Sequence, residues 1–282
     1  MHHDPSRNAV DAVRDVVQRL AAVGPEMDEK TFADTIIQQL REERLLWPFE
    51  ARAGDRGRVS LATPVRIVYE ISRLSGSAGL IVAMHMSQAL TLVRHARGSA
   101  YLEMLLQRCT DRQSLVASGT SERGVGGDVL KSLCALEAQA EDGYSLEKDS
   151  PNISYLDLAD VILVTALRVE SSNAKGQVLV ALPTDQIKIS PGPAGSFLGM
   201  RGIVNRPYHL EAHFTPNAIF PESLSSHRSR HDDAGRAYIL VRPLERDRSA
   251  CPRKGESGAR SGKPRGCRYD QRKSDTAQSV GK

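Results

Sequence analysis

The chain has 282 residues, 40% of them hydrophobic and 26% charged, an ordinary globular composition with room for two domains and a sizeable core. Its formal net charge of +4 is unevenly placed: residues 225–282 hold 15 Lys and Arg against 7 Asp and Glu, net +8, which leaves residues 1–224 at −4. A mildly acidic body argues against nucleic-acid binding, and a most-apolar run of only Ala78–Met86 argues against a membrane span of ~20 residues.

In chain order, residues 8–110 read as mostly helical. Val10, Val13, Val16, Val17 and Leu20 repeat at helical spacing, and Asp28 with Thr31 and Phe32 opens a second helix whose face is Phe32, Ile36, Ile37 and Leu40. Trp47-Pro48 ends that segment. Pro64 suits the start of a helix with Val65, Val68, Ile71 and Leu74 as its stripe. Ser75-Gly76-Ser77 breaks it, a very apolar helix follows from about Ala78 to His95, and Tyr101–Cys109 makes a short last one.

At Ser114 the pattern changes. Leu115-Val116-Ala117-Ser118 leads into a glycine-rich turn. Tyr144–Ile153, Asp160–Val169, Gln177–Leu182, Gln186–Ser190 and Tyr208–Phe214 read as strands. The expected fold class is therefore α+β: an N-terminal helical domain over 1–113, then a mainly β barrel or sandwich over 114–221. Residues 222–282 are a basic tail whose only good apolar run is Tyr238-Ile239-Leu240-Val241. Too little apolar area exists there to offset the entropy of ordering it, so disorder is expected.

The cysteines, Cys109, Cys134, Cys251 and Cys267, form no CxxC pair, and no His/Cys grouping has zinc-ligand spacing. No metal is expected. Free thiols, and an N-terminus that does not read as a signal peptide, fit a reducing cytoplasm.

The specific signal lies at the junction of the two domains. Ser118-Gly119-Thr120-Ser121-Glu122-Arg123-Gly124-Val125-Gly126-Gly127-Asp128 resembles the acyl-CoA dehydrogenase signature Thr-Glu-Pro-x-Ala-Gly-Ser-Asp. Ser121 stands at the threonine, Glu122 at the glutamate, Gly126 at the glycine and Asp128 at the aspartate; Arg123 departs from the proline and Gly127 from the serine. Three further stretches agree in order. Gly143-Tyr144-Ser145-Leu146-Glu147-Lys148 resembles a strand motif of that family. Asn152-Ile153-Ser154, then Ala159-Asp160, resemble its Trp-Ile-Thr/Ser step and the Ala-Asp before a long apolar strand. Leu198-Gly199-Met200-Arg201-Gly202 resembles its Gly-x-Arg segment. In the helical region, Arg73–Leu80 with His85 resembles the helix pair beneath the substrate channel. The resemblance covers roughly residues 25–221.

The chemistry of residues 118–128 suits a flavin independently of family. Reduction places negative charge on the ring's N5, O2 and O4 region, which hydroxyls and backbone N–H groups in a glycine-rich turn can meet. The resemblance implies the arrangement, with Ser121 on the pyrimidine side and Ser154 near N5, and the candidate cofactor contacts are Ser118, Thr120, Ser121, Asn152, Ile153 and Ser154. The cofactor is FAD, with FMN as the alternative. Asn152 replaces an aromatic that shields the ring, a contact on the scale of ~1–3 kcal/mol. Gly127 and His85 are the candidate substrate contacts, although His85 beside Met84 and Met86 reads first as a satisfied core or channel-wall histidine. Arg201 reads as turn-stabilising before phosphate-binding, and Arg41-Glu42-Glu43-Arg44 as a solvated face.

The resemblance implies dehydrogenation of an acyl-CoA thioester, with an electron-transfer flavoprotein as partner and a homo-oligomer as assembly. A monooxygenase on the same scaffold, served by a flavin reductase, is the alternative. Nothing after Pro221 resembles the family's third, four-helix domain, which carries the catalytic base, so no catalytic residue is assigned. The tail's abrupt bias suggests a truncation or a reading-frame change. Reduced activity, or a non-catalytic remnant, is then expected.

Overall fold

The computed structural model describes residues 8–49, 59–124, 132–139, 143–168, 176–195 and 197–221. The motif residues Gly126, Gly127 and Asp128, and the whole tail from 222 to 282, lie outside them.

Among the described residues five helices come first: α1 (Ala9–Ala21), α2 (Glu29–Glu42), α3 (Ala62–Leu74), α4 (Gly76–His95) and α5 (Ala100–Arg112). Short polar side chains start four of them. Asn8 accepts from the Val10 amide, Asp28 from those of Lys30 and Thr31, Ser75 from Ala78 and Ser99 from Leu102, each satisfying donors that a helix start leaves open. Gln113 ends α5 in the left-handed region, φ 53°. The stripes read from the sequence are the buried faces: Val13, Val16 and Leu20 on α1, and Ile36, Ile37 and Leu40 on α2.

α4 is the centre of the helical part. It runs 20 residues, longer than its most apolar stretch suggests, and is apolar enough to cross a membrane by length and composition. Most of it is buried in the protein instead, between α3, α2, α5 and the first strand. Gly79 lets α3 approach: a Cβ there would lie 2.7 Å from the Ser72 Cα.

Seven strands follow among the described residues: β1 (Val116–Gly119), β2 (Ala135–Ala138), β3 (Tyr144–Ile153), β4 (Val161–Arg168), β5 (Gln177–Pro183), β6 (Lys188–Pro191) and β7 (Arg206–Phe214). They form one mixed sheet in the order β1-β4-β2-β3-β7-β6, with β5 on the other side of β4. β1 and β2 lie end to end along one edge of β4, both parallel to it. β4 and β5 are almost wholly buried, as expected of their unbroken apolar runs. β3 and β7 alternate, with Leu146, Lys148 and Ser150 inward opposite outward Glu147 and Asp149. One continuous apolar core joins the helical and strand regions, so the α+β reading holds.

The four residues of β2 were not legible as a strand, since only Leu136 among them is buried. The charged run Arg41–Arg44 is a solvated face only in part: Glu42 and Arg44 are exposed, but both arginines are engaged. Arg41 pairs with Asp160 at 2.8 Å, and Asp160 in turn accepts the Leu115 amide at 2.7 Å. The Arg44 guanidinium donates to the carbonyls of Asp111 and Thr110 at 3.1 and 3.2 Å. These arginines tie the end of α2 to the entry into the sheet. Cys109 and Cys134 are free buried thiols, pushed up by burial to about 11, which leaves them inert.

Candidate functional site

The structure brings the end of β1 and the end of β3 together, the two segments that the sequence marks. Ser121 closes the contact. Its Oγ donates to the Asn152 carbonyl at 2.5 Å and lies 2.6 Å from the Ser150 Oγ, while the Ser150 hydroxyl donates to the Ser121 carbonyl at 2.9 Å. Near Asn152, β3 slips register against β7 between Ser150 and Ile153. Such a bulge re-aims side chains: Asn152 is exposed, Ile153 is buried and Ser154 is half-buried, its hydroxyl donating to Asn205 Oδ1 at 2.6 Å.

No ladder joins β1 to β3 among the described residues, so β1 keeps an open edge. The alternation of a strand says which groups face it. The Leu115 carbonyl points to β4, accepting from the Asp160 and Val161 amides. Val116 points the other way: its N–H donates to His85 Nδ1 at 3.0 Å and its carbonyl accepts from the Tyr155 hydroxyl at 3.1 Å. Two residues on, the same alternation turns the Ser118 N–H and C=O to the open side, and Thr120 follows the last residue of the strand. The amides of Thr120, Ser121 and Ser154 have no acceptor among the described residues. The site is thus a rim of backbone donors with one acceptor, flanked by three hydroxyls.

Behind the rim lies a buried ion pair. Lys148 Nζ bonds Glu122 Oε1, the Thr165 carbonyl at 2.8 Å and the Thr165 Oγ1 at 3.0 Å, which uses all three ammonium protons. Glu122 also accepts from the Ser132 hydroxyl and the Leu133 amide, each at 2.5 Å. Burial alone would raise the Glu122 carboxyl; the bonds from Lys148, Ser132 and Leu133 outweigh it and hold the group below its ordinary range. Both residues sit in the sequence motifs, but their mutual contact was not legible. The signal was there as two charged motif positions without an assigned role.

His85 is completely buried, with both ring nitrogens bonded: Nδ1 accepts from Val116 and Nε2 donates to the Leu46 carbonyl at 2.8 Å. It is a satisfied core histidine and offers no free polar atom to a substrate. Burial pushes it down to about 4, so it is neutral. Arg201 pairs with Glu29, at the start of α2, at 3.5 Å. Beside it Gly202 packs so closely that a Cβ would stand 2.5 Å from the Glu29 carbonyl oxygen. Gly127, the other candidate substrate contact, lies outside the described residues.

No family model matches this sequence, and no curated protein does. Solved structures match its fold. FMN-bound TdsC from Paenibacillus sp. A11-2, a dibenzothiophene monooxygenase, superposes with a TM-score of 0.63 at 17% identity, over 79% of this chain and 56% of that one. Glutaryl-CoA dehydrogenase from Mycobacterium smegmatis gives 0.59 at 19% identity, over 82% and 60%. Butyryl-CoA dehydrogenase from Megasphaera elsdenii gives 0.58 at 15% identity, over 79% and 61%. The chain therefore has the acyl-CoA dehydrogenase fold and spans a little over half the length of the structures it matches.

Proposed function

We propose that this chain is the flavin-binding part of an acyl-CoA dehydrogenase-like oxidoreductase. The observation that carries the reading is the open edge of β1. Ser118 and Thr120 present there a donor, an acceptor and a donor in order. The pyrimidine rim of a flavin has the opposite order, carbonyl, N–H, carbonyl, so this edge can meet it much as a strand meets a neighbour. The amides of Ser121 and Ser154, without an acceptor among the described residues, add donors where charge develops on reduction. The donor set therefore fits FAD, with FMN as the alternative. Both chemistries occur among the structures of this fold, one of which is FMN-bound.

When bound, the flavin would supply the hydride acceptor for α,β-dehydrogenation of an acyl thioester. The chain's own part is to bind and orient. Ser118, Thr120 and Ser121 would hold the pyrimidine side, and Asn152, Ile153 and Ser154 would line the ring's far side. Gly127 would leave open the place where the family's serine meets the acyl-CoA. The base that removes the α-proton is not assigned to any described residue. Residues 222–282 show no helical apolar repeat that would complete the cofactor contacts, so this chain by itself should hold flavin weakly and turn over slowly. We keep the division into 1–113, 114–221 and 222–282, a cytoplasmic setting, an electron-transfer flavoprotein as partner and a homo-oligomer as parts of the same proposal.

The exposure of Asn152, where the family has a shielding aromatic, favours a second reading: a monooxygenase fed by a flavin reductase. A requirement for reductase and oxygen separates the two. The test common to both is the visible spectrum of the purified chain after gel filtration with added FAD or FMN. Co-eluting flavin supports the reading. With the column equilibrated in flavin so that weak binding is retained, an elution profile showing no bound flavin at any concentration refutes it.

A further inference from the structure

We infer that His85 and Tyr155 are positioning residues for the open edge of β1: they hold both backbone groups of Val116 and so set where Ser118 and Thr120 stand. The consequence drawn for flavin rests on the reading above; the positioning itself does not.

β1 is four residues long and, among the described residues, has ladder partners on one side only, along β4. Short edge strands fray unless their open side is held. Among the described residues that side is held at its first residue alone. His85 reaches Val116 from the middle of α4, and Tyr155 from just beyond β3. Both are 1% exposed or less.

Each clamp is itself fixed from behind. His85 Nδ1 accepts a hydrogen bond from the Val116 amide, so the ring's own proton is on Nε2, which donates to the Leu46 carbonyl. The Trp47 ring stands edge-on to the imidazole at 5.7 Å, and its indole N–H donates to the Ser114 carbonyl at 2.8 Å. Leu46, His85, Ser114 and Val116 are thereby locked together. Tyr155 has left-handed backbone, φ 45°, a conformation that a bulky residue adopts only when its surroundings impose it. Its amide donates to the Ile203 carbonyl at 2.9 Å, and its ring is buried up to the hydroxyl.

A strand rises ~3.3 Å per residue, which puts Ser118 about 7 Å and Thr120 about 13 Å beyond the clamp on the same edge. Among the described residues the β4 ladder is what joins them to Val116. A release of Val116 therefore reaches the unclaimed donors directly. Neither clamp need touch a ligand.

Four forms of the chain test this: wild type, Tyr155→Phe, His85→Gln and His85→Asn. Tyr155→Phe removes only the bond to the Val116 carbonyl. His85→Gln moves the polar group outward, away from the Val116 amide. His85→Asn keeps an acceptor at the place of Nδ1 and gives up the Leu46 bond, so it is the rescue. Amide hydrogen exchange at residues 116–120 reports positioning without any flavin, and titration with FMN and FAD reports the consequence. The expected result is exchange at least tenfold faster in Tyr155→Phe and His85→Gln, with His85→Asn near wild type. Flavin affinity should fall about five- to tenfold in the first two, the worth of one hydrogen bond, and stay within about twofold in the third. Unchanged exchange in Tyr155→Phe and His85→Gln overturns the inference, as does His85→Asn exchanging as fast as His85→Gln. A wild type that binds neither flavin, with exchange behaving as expected, refutes the flavin reading and leaves the positioning standing.

Discussion

Glu122 and Lys148, 26 residues apart in sequence, form an ion pair with side chains 4% and 0% exposed. It fastens the turn after β1 to the inner face of β3, immediately behind the rim of donors. Each partner is also fully hydrogen-bonded, which is what makes a buried pair tolerable.

Removing one partner should therefore be costly. Lys148→Met leaves the Glu122 carboxylate buried without a cation and should lower stability by about 3–5 kcal/mol. Replacing both, as in Glu122→Leu with Lys148→Met, should recover a large part of that. Urea unfolding midpoints of the three forms check it; a double variant no better than the single would show that the pair's geometry, rather than the stranded charge, holds the turn.

Acid should destabilise the protein in two separate windows. His85 is neutral in the folded state, pushed by burial down to about 4 from 6.5, with its bond to Leu46 opposing and the Arg41 charge assisting. The unfolded chain protonates first, so this contribution is complete above about pH 6.5 and is lost as pH falls towards 4, to an extent of about 3 kcal/mol. Glu122 has a depressed folded value, so its contribution is present above the ordinary carboxylate range and is lost only as pH falls below it. His209 works in the opposite sense: its bond to Asp149 raises it, so its small contribution is lost as pH rises through that raised value. Stability measured from pH 7 to 4 in wild type and His85→Asn should differ in slope between pH 6.5 and 5; parallel curves would contradict the assignment.

The close approach of α3 and α4 should make Gly79 intolerant of substitution. A Cβ there meets the Ser72 Oγ at 2.2 Å and its Cα at 2.7 Å. The hydroxyl can turn away, but the backbone atom cannot. Gly79→Ala should cost about 1–3 kcal/mol despite the better helix propensity of alanine. Thermal unfolding decides it, and a stabilised variant would mean that the two helices can part without loss.

The sequence was most legible where structure is local. The α1 stripe, the Asp28 start, and the alternation along Tyr208–Phe214 each follow from periodicity or capping within a dozen residues, whereas Ser75, read as part of a break, caps the start of α4. So does Tyr144–Ile153, whose bounds match the strand. What was hidden is what needs distant partners. Arg41 meets Asp160 across 119 residues, and no pattern within α2 distinguishes it from a solvated arginine. Tyr155 carries no local sign of its left-handed backbone or of its bond to Val116, 39 residues away. For the site, the motifs brought Ser118–Ser121 and Asn152–Ser154 to notice. That Ser121 would spend its hydroxyl on Ser150 and the Asn152 carbonyl, leaving backbone N–H groups as the free donors, depends on how β1 and β3 diverge.

The most direct measurement is amide hydrogen exchange of the purified chain with and without saturating FAD or FMN. If the open edge of β1 is the flavin site, protection should appear at Ser118, Thr120, Ser121 and Ser154 and be absent from the outer strands β6 and β7. Flavin binding with no protection at those four residues, or with protection elsewhere alone, would contradict it.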